Sequence, residues 1–299
     1  MKALIFAAGL GTRLKPITDT LPKALVPVSG QPLLWHVIEK LKRAGITDFV
    51  INVHHFADKI REYVAANNSF GVNIAFSDET DLLRETGGGI RHAAPLLDAA
   101  PLLDGDDSSQ FGEPFLVHNV DILSNLDIEQ FIAKHMETSD YAPAQHTLAT
   151  LLVSDRKTQR YLLFNQDDLL AGWMNIQTGQ VKSPYPHLRR EADAVGAASS
   201  VAQPNAAAAA TATVTAAAFD WQSFLQEHNL KKYAFDGAHV ISPEIFALME
   251  GMPEKFSIID FYLGICNKYN IRYHIQHNLE MIDVGKLDSL QKAEEFLGF

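Results

Sequence analysis

The sequence has one cysteine, Cys266, among 299 residues, so an internal disulfide bond cannot form. It also lacks an apolar run close to the roughly 18 residues that a membrane-spanning helix needs. Basic residues are in deficit, with 25 Lys and Arg against 36 Asp and Glu and a formal net charge of -11. That balance argues against a broad basic surface for nucleic acid or for an anionic membrane. These absences predict a cytoplasmic protein without nucleic-acid or membrane partners.

What the sequence does contain is enough apolar material for a folded core. Hydrophobic residues make up 47% of the chain, which excludes a disordered protein or a disulfide scaffold. Short apolar runs alternate with helical patterns at residues 3–8, 49–53, 73–76 and 115–118. This alternation is typical of βαβ units and predicts an α/β fold with a mostly parallel central sheet. After residue 147 the runs become β-rich, which predicts an accessory β-rich face within a single domain spanning residues 1–299.

Residues 184–232 interrupt this pattern as a low-complexity insertion. Half of residues 191–218 are alanine, and large apolar side chains are nearly absent there. An unbroken alanine run favours a helix, whereas the threonines that follow it oppose one. We therefore predict a spacer that contributes little to the core.

A glycine-rich loop follows the first predicted strand at residues 9–16, and Pro22 and Lys23 come shortly after it. Backbone N–H groups in such a loop can hold an anion, because glycine lets a phosphate approach without a Cβ in the way. Arg13 and Lys23 add two cations suited to the β- and γ-phosphates of a nucleotide. The chain has no Walker A motif, and Leu14 stands where a dinucleotide fingerprint needs a small residue, which argues against P-loop and nicotinamide enzymes. The loop thus predicts a nucleotide-binding site.

The two ends of this loop region, residues 9–13 and 22–28, resemble the signature of the sugar-1-phosphate nucleotidyltransferases, also called nucleotide-sugar pyrophosphorylases. Residues 85–90 resemble the family's base-recognition turn. The pattern along the chain separately predicts a helix over residues 88–97 that opens at a glycine-rich turn. Residues 119–121 resemble its metal-binding strand end, and Asp283 its second metal aspartate. The order and spacing are similar to those of short members that act on N-acetylmuramate, mannose or heptose 1-phosphate. The resemblance implies a Rossmann-like, three-layer nucleotidyltransferase fold.

The resemblance also implies roles for individual residues. The implied nucleotide-binding residues are Ala8, Gly9, Gly11, Thr12, Arg13, Lys23, Glu85, Thr86, Gly87 and Gly88. The implied catalytic residues are Arg13, Lys23 and Asp121, and the implied sugar-phosphate-binding residues are Asn119, Gly237 and Lys255. The expected cofactor is Mg²⁺, which prefers carboxylate, phosphate and water oxygens. Asp121 and Asp283 are its predicted ligands.

The implied reaction joins a sugar 1-phosphate to a nucleoside triphosphate, giving a nucleotide-sugar and pyrophosphate. A phosphate monoester has a second pKa near ~6, so it is already ionised at neutral pH and needs no protein base. Positioning and charge neutralisation are then the protein's main tasks. We expect uridylyl transfer to N-acetylmuramate 1-phosphate, with guanylyl transfer to mannose or heptose 1-phosphate and cytidylyl transfer to phosphocholine as alternatives. An alternative of another class is a catalytically silent nucleotide-sugar sensor.

Overall fold

A computed structural model of the chain describes residues 1–97, 112–139, 146–192 and 219–298. In this part of the chain the strands are β1 Lys2–Phe6, β2 Pro27–Val28, β3 Gln31–Pro32, β4 Asp48–Val53, β5 Asn73–Asp78, β6 Phe115–Asn119, β7 Ile122–Ser124, β8 Thr147–Ser154, β9 Arg160–Phe164, β10 Leu170–Asn175, β11 Val181–Lys182, β12 Lys231–Ile241, β13 Asn270–His274 and β14 Met281–Asp283. The α-helices are α1 Leu33–Arg43, α2 Ala57–Ala66, α3 Glu85–Ala93, α4 Ile128–Ser139, α5 Trp221–Glu227, α6 Ile245–Leu248, α7 Ile258–Ile265 and α8 Asp288–Phe296.

The first half of the chain builds the parallel part of the main sheet, in the order β5-β4-β1-β6. All three pairings in this part are parallel. In β1, residues Ala3, Leu4 and Ile5 are fully buried, because helices cover both faces of a parallel sheet. The carboxyl ends of β1, β4 and β6 therefore meet at one edge, where open α/β sheets bind ligands.

The second half extends the sheet with antiparallel strands. The long strand β12 pairs antiparallel with β6, β8 and β9, and β9, β10 and β11 continue as an antiparallel meander. Strand β13 adds to the outer side of β8 in parallel. This extension is the accessory β-rich face that the sequence predicts.

Helices lie on both faces of the sheet, which confirms the three-layer architecture. Ala3 and Ile5 of β1 pack in one core cluster with side chains of α1, α2, α4 and α8. Leu4 points the other way and packs with side chains of α3, α6 and α7. This alternation follows from the two-residue period of a strand. Within the described residues, no helix combines the length and apolar character needed to cross a membrane.

The predicted insertion is narrower than residues 184–232. Residues 193–218, which hold most of its alanines, lie outside the described residues. On the amino-terminal flank, Arg190 forms a β-bridge with Val181. On the other flank, the Asp220 side chain caps α5, and β12 already begins at Lys231. Both flanks therefore belong to the fold, the first through its backbone pairing and the second because Phe219, Trp221 and Phe224 pack on the meander.

Candidate active site

The loop after β1 is held by one buried asparagine on the neighbouring strand β4. The Oδ1 atom of Asn52 accepts hydrogen bonds from the backbone N–H groups of Ala7 and Ala8, at 2.6 and 3.1 Å. Both alanines lie in the loop, since β1 ends at Phe6 and not at residue 8 as the sequence suggests. The backbone then turns out into solvent, and Gly9 is exposed, so that a Cβ added there would have no atom within 4 Å.

Gly11 is required by the turn that follows. Its φ is +63°, and a Cβ there would lie 2.8 Å from Cγ2 of Thr18. Its carbonyl accepts hydrogen bonds from Leu14 N and Thr18 Oγ1, both at 2.8 Å. These bonds fix a short 3-10 turn over Thr12–Leu14, which leaves Arg13 exposed at the site.

Lys23 and Asp121 form an ion pair at the carboxyl end of β6. The ammonium group of Lys23 contacts Oδ2 of Asp121, and the two side chains are 10% and 19% exposed. Lys23 lies on a 3-10 turn that begins after Pro22, whereas Asp121 follows β6 directly. The structure thus brings a predicted phosphate-binding cation against a predicted metal ligand from 98 residues away in sequence.

Asp283 reaches the same edge of the sheet on β14. This strand pairs antiparallel with β7, and the backbone N–H of Val284 donates to the carbonyl of Asp121 at 2.8 Å. Arg13 lies here too, because a Cβ on Gly285 would be 2.6 Å from Asp283 Oδ1 and 2.8 Å from Arg13 Nη2. Gly285 therefore leaves room for both charged groups.

The two aspartates fit the chemistry of a magnesium site. Mg²⁺ is usually held by one or two carboxylates together with substrate phosphates and water, and not by a complete protein cage. Asp121 and Asp283 supply two hard oxygen donors on adjacent strand ends. Among the described residues, no group of three or more His, Cys, Asp or Glu side chains could hold a metal alone.

Residues 85–90 form the first turns of a helix, so the predicted glycine-rich turn before a helix is wrong. Helix α3 begins at Glu85 and ends at Ala93, whereas the sequence predicts residues 88–97. The glycines are needed for close packing: a Cβ on Gly88 would lie 2.2 Å from the carbonyl oxygen of Glu254. The N–H groups of Gly87 and Gly88 both point to the carbonyl of Phe256, at 2.9 and 3.2 Å. These amides are therefore bound within the protein.

The hydroxyl group of Thr86 can donate a hydrogen bond to a ligand. Its Oγ1 accepts a hydrogen bond from the backbone N–H of Ile258 at 3.0 Å, which leaves its hydroxyl proton available to donate. Glu85 has a φ of +60° and lies 3.6 Å from the ammonium of Lys255. The structure thus pairs Lys255, predicted on the sugar-phosphate side, with a residue predicted on the nucleotide side.

Asn119 and Gly237 lie against each other where β6 and β12 pair. Gly237 has a φ of +76°, and a Cβ there would be 2.7 Å from Nδ2 of Asn119. Asn119 is half-buried at the end of β6, two residues before Asp121. Because Gly237 has no side chain, the Asn119 amide has room next to the Lys23–Asp121 ion pair.

These side chains surround a cavity of about 240 Å³. The predicted site residues that line it are Ala8, Gly9, Lys23, Glu85, Thr86, Asn119 and Asp121. The predicted site residues outside its lining are Gly11, Thr12, Arg13, Gly87, Gly88, Gly237, Lys255 and Asp283. Several of the second group shape the cavity through contacts with the first.

Asn52 and Glu79 line the cavity and were missed by the sequence reasoning. Asn52 Nδ2 donates to Glu79 Oε1 at 2.9 Å, and Arg84 N donates to Glu79 Oε2 at 3.0 Å. Glu79 is fully buried, so this network ties β1, β4 and the entry to α3 together. The one available signal was a polar residue, Asn52, inside an apolar strand.

Comparison with known proteins agrees with this geometry. Residues 2–178 match the nucleotidyl transferase family. Over 128 residues the chain is 44% identical to an N-acetylmuramate alpha-1-phosphate uridylyltransferase of Neisseria meningitidis serogroup B, covering 42% of this chain and 49% of the relative. Over 136 residues it is 38% identical to a mannose-1-phosphate guanyltransferase of Gibberella zeae, covering 45% and 34%. The matched stretches thus span about half or less of these curated relatives.

Solved structures share the fold over nearly the whole chain. HddC from Yersinia pseudotuberculosis complexed with GMP-PN superposes with a TM-score of 0.61 at 19% identity, covering 99% of both chains. The inositol-1-phosphate CTP transferase from T. maritima has a TM-score of 0.57 at 13% identity, covering 98% of this chain and 96% of its own. At these identities the likeness concerns the fold alone. The match of residues 2–178 shows that the chain belongs to the nucleotidyl transferase family. The solved structures show that it has a Rossmann-like fold.

Proposed function

We propose that this protein is a Mg²⁺-dependent sugar-1-phosphate nucleotidyltransferase. The observation that carries the proposal is the Lys23–Asp121 ion pair, which lies with Asn119 and Thr86 around one cavity at the carboxyl ends of the parallel strands. Two anions have to meet in this reaction, so a site that combines cations with metal-binding carboxylates suits it.

The reaction needs charge neutralisation more than proton transfer. An ionised oxygen of the sugar phosphate forms a new bond to the α-phosphorus, while the bond from that phosphorus to the bridging oxygen breaks. Pyrophosphate leaves with the electron pair, and no proton moves. Asp121 and Asp283 would hold Mg²⁺, whose positive charge would offset the repulsion of the two phosphate groups.

The chain's own residues bind and orient the two substrates. Arg13 and Lys23 would bind the β- and γ-phosphates, and the support for this role is that both cations lie next to the predicted metal carboxylates. Thr86 can donate a hydrogen bond to the base. Asn119 can donate to an acceptor hydroxyl beside Gly237.

We further propose uridylyl transfer to N-acetylmuramate 1-phosphate as the specific reaction. The support is the 44% identity with the Neisseria relative of that name, over a stretch that covers 42% of this chain. Guanylyl transfer to mannose 1-phosphate is the second candidate, supported by 38% identity with the Gibberella relative. A silent sensor is disfavoured, because Arg13, Lys23, Asp121 and Asp283 are all retained at one edge of the sheet.

The proposal is tested by pyrophosphate release with Mg²⁺, using UTP, GTP, CTP and dTTP against N-acetylmuramate, mannose, heptose and glucose 1-phosphates and phosphocholine. We expect release that requires UTP and N-acetylmuramate 1-phosphate together. Asp121→Asn should lower this rate by about 100-fold, as expected when one electrostatic group of a reaction centre is removed. Nucleotide binding with no turnover in any combination would instead favour the sensor.

A further inference from the structure

A second cleft, of about 500 Å³, lies beside the active-site cavity. One wall is the accessory sheet, with Arg160 and Trp173 from β9 and β10. The other wall is the start of α7, with Ser257 and Ile259. None of these residues belongs to the site derived from the sequence.

The cleft and the active-site cavity share two structural elements. On β12, Phe235 lines the cleft, whereas Gly237, two residues and about 7 Å further along the strand, lies against Asn119 of the cavity. At the start of α7, Ser257 lines the cleft, and its neighbour Ile258 donates a hydrogen bond to Thr86 of the cavity. The cleft therefore adjoins the predicted acceptor side.

The cleft is rich in positive charge, although the chain as a whole is acidic. Its lining has three cations, Arg156, Arg160 and Lys182, against one carboxylate, Asp260. Two of the cations are paired: Lys182 Nζ lies 2.9 Å from Asp260, and Arg156 Nε lies 2.6 Å from the buried Asp236. Arg160 is exposed and, among the described residues, forms no ion pair.

The floor of the cleft is partly apolar, with Leu162 and Trp173 in its lining. In the strand register, Trp173 stands opposite Leu162 on one side and Lys182 on the other, so the three side chains share one face of the sheet. Arg160 lies two residues before Leu162 and belongs to the same face. The Lys182 ammonium lies over the Trp173 indole, 5.3 Å from the ring centroid. This cation and the exposed Arg160 guanidinium on the same face suit a sugar that carries an anionic group.

Resting on the proposed function, we infer that Arg160 selects an acceptor sugar that carries a carboxylate. The substituent of the sugar ring that bears the carboxylate enters the cleft. The Arg160 guanidinium binds this carboxylate with two parallel N–H···O bonds. N-acetylmuramate has such a group in its lactyl ether, whereas N-acetylglucosamine is the same sugar without it. Arg160 is then a specificity-determining residue for an acidic acceptor.

The test is a comparison of two acceptors in two proteins. UTP-dependent pyrophosphate release is measured with N-acetylmuramate 1-phosphate and with N-acetylglucosamine 1-phosphate, for the wild type and for Arg160→Gln. We expect kcat/KM for the muramate substrate to fall about 10-fold, mainly through KM, because one charge-assisted contact is lost. The value for the glucosamine substrate should stay within about twofold, and Arg160→Lys should recover part of the loss.

The matched control is Lys157→Gln, which removes an exposed cation three residues away and outside the cleft lining. It should leave both acceptors unchanged, and equal thermal midpoints for all variants would exclude a folding effect. An equal change for both acceptors in Arg160→Gln, or no change for either, would overturn the inference while the proposed function stands. Turnover by the wild type with another sugar 1-phosphate but with neither of these two acceptors would overturn the inference alone. Absence of turnover with every triphosphate and every acceptor named under the proposed function would overturn that function, and the inference with it.

Discussion

The ammonium of Lys23 contacts the carboxylate of Asp121 across the carboxyl edge of the sheet. Each is the other's ion partner, and both side chains are mostly buried. Removal of either charge leaves the other without a counter-charge in a mostly buried position, where it is also poorly hydrated. Under the proposed function, the pair would therefore link triphosphate binding to metal binding.

Lys23→Ala should lower kcat with saturating substrates by about 100-fold and raise the KM for the triphosphate, since one cation facing the phosphates is lost. Steady-state pyrophosphate release over a range of triphosphate concentrations measures both effects. Lys134→Ala is the control, because Lys134 is exposed on α4 and pairs there with Glu137. Wild-type kinetics in Lys23→Ala would contradict the site.

Asn52→Ala should destabilise the fold and the nucleotide loop together. The substitution leaves the N–H groups of Ala7 and Ala8 and one oxygen of Glu79 without their buried partner. We expect the free energy of unfolding in urea to fall by about 2 kcal/mol. Asn73→Ala, which removes one exposed hydrogen bond to Asp48, should cost less than about 0.5 kcal/mol. Equal losses of unfolding free energy for the two substitutions would argue against the role of Asn52 in holding the loop.

Gly88→Ala should push the Glu254 backbone away from α3, since the new Cβ would lie 2.2 Å from its carbonyl oxygen. We expect a loss of about 1–3 kcal/mol in the free energy of unfolding, as for other overpacked sites. The matched control is Gly264→Ala on α7, where nothing lies within 4 Å of the added Cβ. That control should be neutral or stabilising by up to about 1 kcal/mol, because alanine favours helix.

The stability of the protein should fall as the pH drops below about 6.5, the usual pKa of an unfolded histidine. Burial lowers the pKa of His135 and of His239 to about 3 in the folded state. The unfolded chain thus binds more protons than the native chain in this window, and the two histidines together contribute a slope of up to about 2.7 kcal/mol per pH unit.

Urea unfolding at pH 7, 6 and 5 and constant ionic strength measures this slope. His239→Gln should reduce it by up to about 1.4 kcal/mol per pH unit, since one of the two histidines is gone. An unchanged pH slope of the unfolding free energy in His239→Gln would contradict the attribution of this slope to the buried histidines.

The parallel half of the fold could be predicted from the sequence because its strands are buried on both faces and read as continuous apolar runs. The strand before Asp121 is an example, with its first four residues fully enclosed. The glycines of α3 could not be interpreted correctly, because their partner, the Glu254–Phe256 backbone, lies more than 160 residues away. Local propensity places Gly87 and Gly88 in a turn, and tertiary packing keeps them in a helix.

Much of the candidate site followed from short motifs that place charged residues at strand ends. Lys23, Asn119 and Asp121 do line one cavity. The Asn52–Glu79 network did not follow, because it depends on a hydrogen bond between side chains on two different strand ends. The cleft at Arg160 did not follow, because Phe235 and Ser257, which complete its lining, lie far along the chain. A polar residue in a buried strand and an arginine at a strand start carry no sign of their partners in the linear sequence.

Nucleotidyl transfer by this protein is best tested through the products that the wild type forms from UTP and N-acetylmuramate 1-phosphate in the presence of Mg²⁺. Mass spectrometry of the nucleotide product, alongside pyrophosphate release, identifies the bond that has formed. We predict UDP-N-acetylmuramate and pyrophosphate in equal amounts, with neither formed when one substrate is omitted. Pyrophosphate without a nucleotide-sugar, or no product from any triphosphate and sugar 1-phosphate, would contradict the proposed function.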